Sequence, residues 1–84
     1  MRNRGSRRFW RTLNGLPPDV RARADEAFEL FKANPDHPSL HFKKVGLVWS
    51  VRVDREYRAI CERIDDECRW LWIGPHDDYE RLLG

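Results

Sequence analysis

The stretch that decides the fold is LVWSVRV-DRE-YRAICERI-DD-ECRWLWI, at residues 47–73. It contains three runs rich in β-branched and aromatic residues, separated by turns of three and two polar residues. Turns this short join neighbouring strands only when the strands are antiparallel. In the last run, alternation places Trp70 and Trp72 on one face and Leu71 and Ile73 on the other. We therefore expect an antiparallel sheet whose last strand is central and covered on both faces.

The segments that flank this sheet have helical patterns. Upstream, PPD at residues 17–19 favours a helix start, and an apolar stripe at helical spacing runs through residues 20–31. Downstream, HDDYERLL at residues 76–83 has the polar start and apolar end of a short helix. RFWRTL at residues 8–13 is predicted to be a short first strand. Residues 36–46 form a connector, which is either a short helix or an extended segment.

These elements predict a small α+β domain, because one amphipathic helix needs a sheet face to cover. We expect a small antiparallel β-sheet packed against an N-terminal amphipathic helix, with a short C-terminal helix. The length of 84 residues fits a single domain spanning residues 1–84.

The basic residues are unevenly distributed along the chain. The first eleven residues contain five arginines and no acid, a net charge of +5, whereas eleven bases and 14 acids follow, a net charge of −3. A basic arm at residues 1–7 suggests an anionic partner, such as nucleic acid or an acidic protein. The alternative is a disordered, solvated terminus.

Composition and motif spacing exclude several classes of protein. No apolar run approaches the roughly 20 residues of a membrane span, and no signal peptide follows the first arginines. Cys61 and Cys68 neither make a disulfide framework nor have the spacing of a zinc site. We expect a cytoplasmic protein that does not bind a membrane and that needs neither a metal nor a cofactor.

The order and spacing of the segments resemble the RelE/ParE superfamily of bacterial type II toxins, from Phe9 to Leu83. The resemblance is carried by LPPDVRARADEAFELFKANPDHPSLHFKKV, by WSVRVDREYRAI and by WLWIGPHDDYERLL. It implies helices packed on an antiparallel sheet and a cognate antitoxin as partner. For the RelE, YafQ and HigB-like branch it implies metal-independent cleavage of mRNA on the ribosome.

Two other activities stay open, because fold does not settle function. In the ParE branch the same fold inhibits DNA gyrase without catalysis. An inactive homologue would only bind its antitoxin. DNA binding is expected only for the toxin–antitoxin complex.

Three residues are predicted to be catalytic. His76 matches the histidine at the end of the last strand in YafQ-like relatives, and histidine is the natural proton carrier near neutral pH. Its alternative role is a local hydrogen bond at a helix start. Arg58 matches a family arginine that binds the scissile phosphate, and arginine grips phosphate with two donors. Its alternative is a surface ion pair with Glu62 or Asp54. Arg52 is expected to help from the polar face of its strand.

Four further residues are candidates for substrate binding: His41, Lys43, Lys44 and Tyr79. The first three lie in the connector and could contact a nucleic-acid backbone or form an ordinary solvated loop. Tyr79 could stack on a base or pack against the sheet. RelE-like enzymes carry lysines around the strand of Arg52, whereas Ser50 beside it offers no charge.

Overall fold

The computed structural model describes residues 1–83 and is an α+β fold, as predicted. Its sheet has the strand order β1-β5-β4-β3-β2, with β1 (Arg2–Gly5), β2 (Lys43–Val45), β3 (Val48–Arg52), β4 (Tyr57–Ile64) and β5 (Glu67–Pro75). The helices are α1 (Arg7–Asn14), α2 (Pro18–Ala33) and α3 (His76–Leu83), and a single 3₁₀ turn spans Pro38–Leu40. Within residues 1–83, no helix combines the length and apolarity that crossing a bilayer requires.

The core lies between α1 and α2 on one side and the sheet on the other. Helix α2 begins at Pro18, where proline suits the first turn, and its predicted stripe buries Val20, Ala24 and Phe31. The Phe31 ring packs edge-on against Trp70 of β5, with 5.3 Å between the ring centroids. The helix prediction for this segment is therefore confirmed, and the stripe packs on the sheet as expected.

The predicted first strand at residues 8–13 is wrong, because this segment is helix α1. Ser6 caps the helix by accepting a hydrogen bond from the Phe9 backbone N–H at 3.1 Å. Phe9 and Leu13 stand four residues apart, and both pack against the core. The apolar residues in RFWRTL thus satisfy helical spacing, and the cap just upstream selects the helix.

The alternative of a disordered terminus is also wrong for the segment before α1. Residues 2–5 form strand β1, which pairs in parallel with β5 at residues 67–70. Trp70 Nε1 donates to Asn3 Oδ1 at 3.1 Å, and the Ser6 backbone N–H donates to the Trp70 carbonyl at 2.9 Å. The basic arm is therefore built into the edge of the sheet, and only the strands from β2 to β5 pair antiparallel.

A register shift in β5 changes which residues share a face. Cys61 of β4 lies opposite Trp70, but the preceding residue, Ile60, lies opposite Trp72. Leu71 is the extra residue, so Trp70 and Ile73 join the core cluster while Trp72 faces away from it. The prediction that Trp70 and Trp72 share a face is wrong for this reason. The expectation of a strand covered on both faces is confirmed, since Trp70, Trp72 and Ile73 are all buried.

Candidate active site

The antiparallel register brings the predicted catalytic residues together at one end of the sheet. Arg52 of β3 lies directly opposite Arg58 of β4, and Arg58 lies opposite Gly74 of β5. Directly opposed residues share a sheet face, which here is the face away from α2. His76 follows Gly74 by two residues and begins α3. Three strands and one helix start therefore position the cluster.

The guanidinium of Arg58 is anchored by the turn between β3 and β4. Its Nη1 donates to the Asp54 carbonyl at 2.6 Å and to the Tyr57 carbonyl at 2.9 Å. Within residues 1–83 both of its hydrogen bonds use Nη1, so Nε and Nη2 stay available to an anion. Partial burial, followed by the positive charge of Arg52, lowers the pKa of Arg58, while Tyr79 and Asp54 act in the opposite direction. The alternative of a surface pair with Glu62 is wrong, since Glu62 instead faces Arg69.

Gly74 supplies the space beside Arg58. A Cβ atom at this position would lie only 2.3 Å from Cζ2 of Trp72, whose indole covers the glycine. Trp72 is buried and lies opposite Ile60. The indole of Trp72 therefore packs next to the arginine pair, and position 74 requires a glycine because a side chain there would overlap with the indole.

His76 is held by its backbone and faced by a carboxylate. Its N–H donates to the Glu56 carbonyl at 2.6 Å, which ties the start of α3 to the turn before β4. The imidazole is 38% exposed, and Nε2 lies 3.4 Å from Glu80 Oε1, one helical turn away. Tyr79 lies beside it, with 5.8 Å between ring centroids. The imidazole is thus accessible to solvent and faces a carboxylate on the next turn of α3.

An open cleft of about 440 Å³ joins the two principal residues; it is lined by Arg55, Glu56, Arg58, Pro75, His76 and Asp77. A cleft with a cation and a titratable imidazole at its wall can hold a phosphate and exchange a proton with it. Arg52 lies directly opposite Arg58 on β3, and Tyr79 lies beside His76 on α3. The structure therefore brings together four of the seven predicted site residues: Arg52, Arg58, His76 and Tyr79.

The other three predicted residues lie apart from the cleft. Lys43 lies on the same sheet face, opposite Ser50, whereas Lys44 lies opposite Trp49 on the other face. His41 ends the 3₁₀ turn in a left-handed conformation, with φ of 45°. The loop alternative fits His41 best, and of the two lysines only Lys43 shares the sheet face of the arginines.

Ser50 is not the exposed polar position that its sequence context suggests. It is 3% exposed and lies in a row with Ile60 and Trp72. A lysine there would have to lose its hydration, which is costly for an unpaired charge. The serine therefore belongs to the packed second face of the sheet and is not among the residues that line the cleft.

Two acidic residues near the cluster were missed from the sequence. Glu80 stands four residues after His76, a spacing that places both on one side of a helix and could have identified it. Glu56 acts only through its carbonyl, which no side-chain pattern reveals. Within residues 1–83, no group of three or more His, Cys, Asp and Glu side chains is arranged to hold a metal ion.

A separate apolar groove of about 190 Å³ opens between α1, α2 and the sheet. Phe9, Trp10 and Leu13 line it from α1, and Phe28 lines it from α2. Trp10 is 52% exposed at its edge. The groove lies on the face opposite to the arginine pair, so it belongs to a different surface from the cleft.

Comparison with solved structures confirms the fold. The RelB–RelE antitoxin–toxin complex of Methanococcus jannaschii has a chain that matches with a TM-score of 0.75 at 15% identity, covering 96% of this chain and 99% of that one. YafQ from Escherichia coli BL21(DE3) matches with a TM-score of 0.75 at 12% identity, covering 94% and 98%. The isolated RelE toxin of E. coli matches with a TM-score of 0.66 at 13% identity, covering 98% of both chains.

Sequence comparison identifies the family. No curated protein sequence matches the chain significantly. The profile of the ParE-like toxin domain, however, matches residues 18–81, which is most of the chain. This match includes α2, the strands β2 to β5 and nearly all of α3. Together with the shared fold, it shows that the chain belongs to the ParE-like toxin domain family of the RelE/ParE toxin superfamily.

Proposed function

We propose that this chain is the toxin of a toxin–antitoxin system and that it cleaves mRNA on the ribosome without a metal ion. The observation that carries the proposal is the cleft in which the anchored Arg58 and the accessible His76 face the same space. A protein that only binds gyrase needs no proton carrier next to an arginine that can hold a phosphate. The structural neighbours named RelE and YafQ support the same branch of the superfamily.

The chemistry follows from the roles that RNA cleavage requires. The 2′-oxygen of one nucleotide attacks the adjacent phosphorus, the bond to the 5′-oxygen breaks, and the 2′-hydroxyl proton leaves as the 5′-oxygen gains one. His76 carries a proton in this exchange, with Glu80 facing its imidazole. Arg58, helped by Arg52, holds the phosphate and the charge that grows on it. Tyr79 contacts the substrate from the helix side of the cleft.

Substitutions at the two principal residues test the mechanism. Positioned acid–base catalysis is worth about 10²–10⁴-fold, so both His76→Ala and His76→Gln should lose most of the cleavage. Arg58→Lys should lose part of it, because a lysine reproduces neither the anchoring to two carbonyls nor the two-donor grip. His37→Gln is the matched control, since His37 caps the 3₁₀ turn away from the cleft.

The assay is ribosome-programmed cleavage of a defined mRNA at several pH values. Magnesium is kept in excess for intact ribosomes, and EDTA is added to sequester transition metals, which it binds more tightly than magnesium. Full activity in the His76→Gln protein would refute the role of the histidine. Gyrase stalled on DNA while transcripts stay intact would select the ParE-type activity instead. Harmless overexpression with antitoxin binding retained would identify an inactive homologue.

The partner that we propose is a cognate antitoxin with an acidic segment and an apolar anchor. The acidic segment would cover Arg52, Arg58 and His76 and thereby block the cleft. The apolar groove beside the exposed Trp10 offers the anchor a binding site, and Arg4 of β1 is among the residues that line it. Co-expression should protect growth and give a stable complex, and Trp10→Ala should weaken that complex without changing cleavage. A neighbouring gene product that neither copurifies nor protects would contradict the proposal.

A further inference from the structure

A second open cleft of about 460 Å³ adjoins the catalytic cleft. It lies between α2, the 3₁₀ turn, the end of β3 and the turn that follows this strand. Arg55 lines both clefts, whereas Arg58 lines only the catalytic cleft and Arg52 lines only the second one. Arg52 and Arg58 are directly opposed across β3 and β4, so the two clefts meet at this arginine pair and at Arg55.

Part of the lining of the second cleft is apolar. Leu30, Leu40 and Val53 contribute it, and Leu40 is only 1% exposed. All three residues belong to the hydrophobic core or pack against it, so this lining keeps its position without a ligand. Unstacked nucleobases bury their faces against protein side chains, so the apolar lining suits a base.

The cations at the turn side of the second cleft are available to an anion. Arg23 is neutralised by two carboxylates, since it pairs with Asp54 at 2.7 Å and with Asp19 at 3.5 Å. Within residues 1–83, no ion pair includes Arg52 or Arg55. Both guanidiniums keep their charge at any accessible pH, so they attract an anion to the junction of the two clefts.

Glu26 gives the α2 side of the second cleft the opposite polarity. It is exposed, and none of the ion pairs in the part of the chain that the structure describes includes it. A carboxylate accepts hydrogen bonds but donates none. Every RNA base has an N–H group on its Watson–Crick edge, and every nucleotide has an anionic phosphate. A nucleotide therefore matches the acidic side, the basic side and the apolar lining of this cleft.

The turn that carries Arg55 is fixed by contacts with two helices. Asp54 Oδ1 accepts hydrogen bonds from two backbone N–H groups of the turn, at 2.8 and 2.9 Å, and Asp54 Oδ2 accepts one from Arg23 of α2. On the other side, the Glu56 carbonyl accepts the N–H of His76 at the start of α3. The backbone of Arg55 is thus positioned before a ligand arrives, which lowers the entropic cost of binding.

We propose that the second cleft binds one nucleotide of the RNA, the neighbour of the scissile phosphate. Its base packs on the apolar lining, Glu26 accepts a hydrogen bond from an N–H group of the base, and Arg55 holds the phosphodiester backbone where the two clefts meet. The identity of the ligand rests on the proposed cleavage of RNA, so the test measures binding without cleavage.

Titration with the four ribonucleoside 3′,5′-bisphosphates provides that test, because each has one base between two phosphates. Binding is followed in ¹⁵N–¹H spectra of the whole chain. We expect saturable shifts of the backbone N–H signals of residues 39–40 and 53–56, together with that of Arg58. Shifts confined to Arg58 and residues 76–77, or no saturable shift, would overturn the proposal. Binding in the second cleft by a chain that does not cleave mRNA would contradict the proposed function and leave the nucleotide site standing.

Variants of Arg55 test the contact with the phosphodiester backbone. Arg55→Gln should weaken binding of the bisphosphates by about fivefold, which is the upper end of what an exposed ion pair contributes. Arg55→Lys should retain part of the affinity, because it keeps the charge but loses the two-donor grip. Arg21→Gln is the matched control, since Arg21 is exposed on α2 and lines neither cleft. Equal affinities of the Arg55→Gln and Arg21→Gln proteins would contradict the role of Arg55.

A variant of Glu26 tests the contact with the base. Glu26→Gln should change the order of affinities among the four bisphosphates, because an amide donates as well as accepts hydrogen bonds. Glu29→Gln is the matched control, since Glu29 is 72% exposed on the same helix and lies outside the cleft. An unchanged order in the Glu26→Gln protein would contradict the binding of a base beside α2.

Discussion

Replacement of Gly74 by alanine tests whether Trp72 packs over Gly74, next to the arginine pair, as the structure describes it. The added Cβ would lie 2.3 Å from Cζ2 and 2.8 Å from Cη2 of Trp72. The indole has little freedom to withdraw, because it is 8% exposed and its neighbour across the strand, Ile60, is 5% exposed. Either the ring or the backbone of β5 must therefore shift.

The expected cost follows from that overlap. Forcing an extra carbon into a packed region costs about 1–3 kcal/mol, and the lower chain entropy of unfolded alanine offsets up to about 1 kcal/mol of it. From the middle of the first range, about 2 kcal/mol, we expect a net loss of about 1–2 kcal/mol in the free energy of unfolding. At about 4–8 °C per kcal/mol for a domain of this size, the unfolding midpoint should fall by about 4–16 °C.

Thermal unfolding followed by circular dichroism measures this effect, and Gly15→Ala is the matched control. A Cβ at Gly15 would lie 3.5 Å from the Arg11 carbonyl oxygen and 3.7 Å from that of Thr12, which are ordinary contacts. The control should therefore unfold at the midpoint of the unmodified chain or slightly above it. Equal midpoints for the two alanine variants would refute the packing of Trp72 over Gly74.

Three further predictions concern charged residues. Asp54 accepts hydrogen bonds from two turn N–H groups and from Arg23; burial tends to raise its pKa, but these donors together lower the pKa below 3.8. Asp54→Asn keeps an oxygen for the two turn N–H groups but loses the ion pair with Arg23, so it should lower the free energy of unfolding at pH 7. The difference from the unmodified chain in urea unfolding should disappear as pH falls below 3.8 through the folded-state pKa. Neutralising the exposed arginines of α1 should flatten the salt dependence of RNA binding by about 0.7 log–log units for each phosphate that the chain no longer neutralises, whereas an unchanged slope would exclude them from binding. Glu80→Gln should lower the rate of cleavage, because it removes the carboxylate that lies 3.4 Å from His76 Nε2, and an unchanged rate would show that the carboxylate only supports the helix.

The elements that could be predicted from sequence are those whose pattern is local. Helix α2 follows from its proline start and apolar stripe, and α3 begins and ends where the break at Gly74 and Pro75 and the pattern of HDDYERLL place it. The three central strands follow from short turns and alternation. In each case, the element can be predicted from residues that are neighbours along the chain.

The elements that could not be predicted depend on distant residues. Strand β1 is a run of polar residues, and it is a strand because residues 67–70 offer it a parallel edge. Helix α1 has six of its eight residues in a run that also alternates like a strand, and only the cap at Ser6 and the packing of Phe9 and Leu13 decide between the two. Alternation alone cannot detect the extra residue in β5, because Leu71 is as apolar as its neighbours.

The same limit governs the candidate site. Arg58 and His76 could be proposed from the sequence, because arginine suits phosphate binding and histidine suits proton transfer. The structure places both at the wall of one cleft. The supporting residues are visible only once the register is known. Gly74 serves by lacking a side chain, Glu56 serves through a carbonyl, and Ser50 is buried because Trp72 and Ile60 continue its row. The strength of the proposed nuclease therefore depends on the geometry that these residues impose on Arg58 and His76, and it cannot be estimated by counting basic residues on a strand.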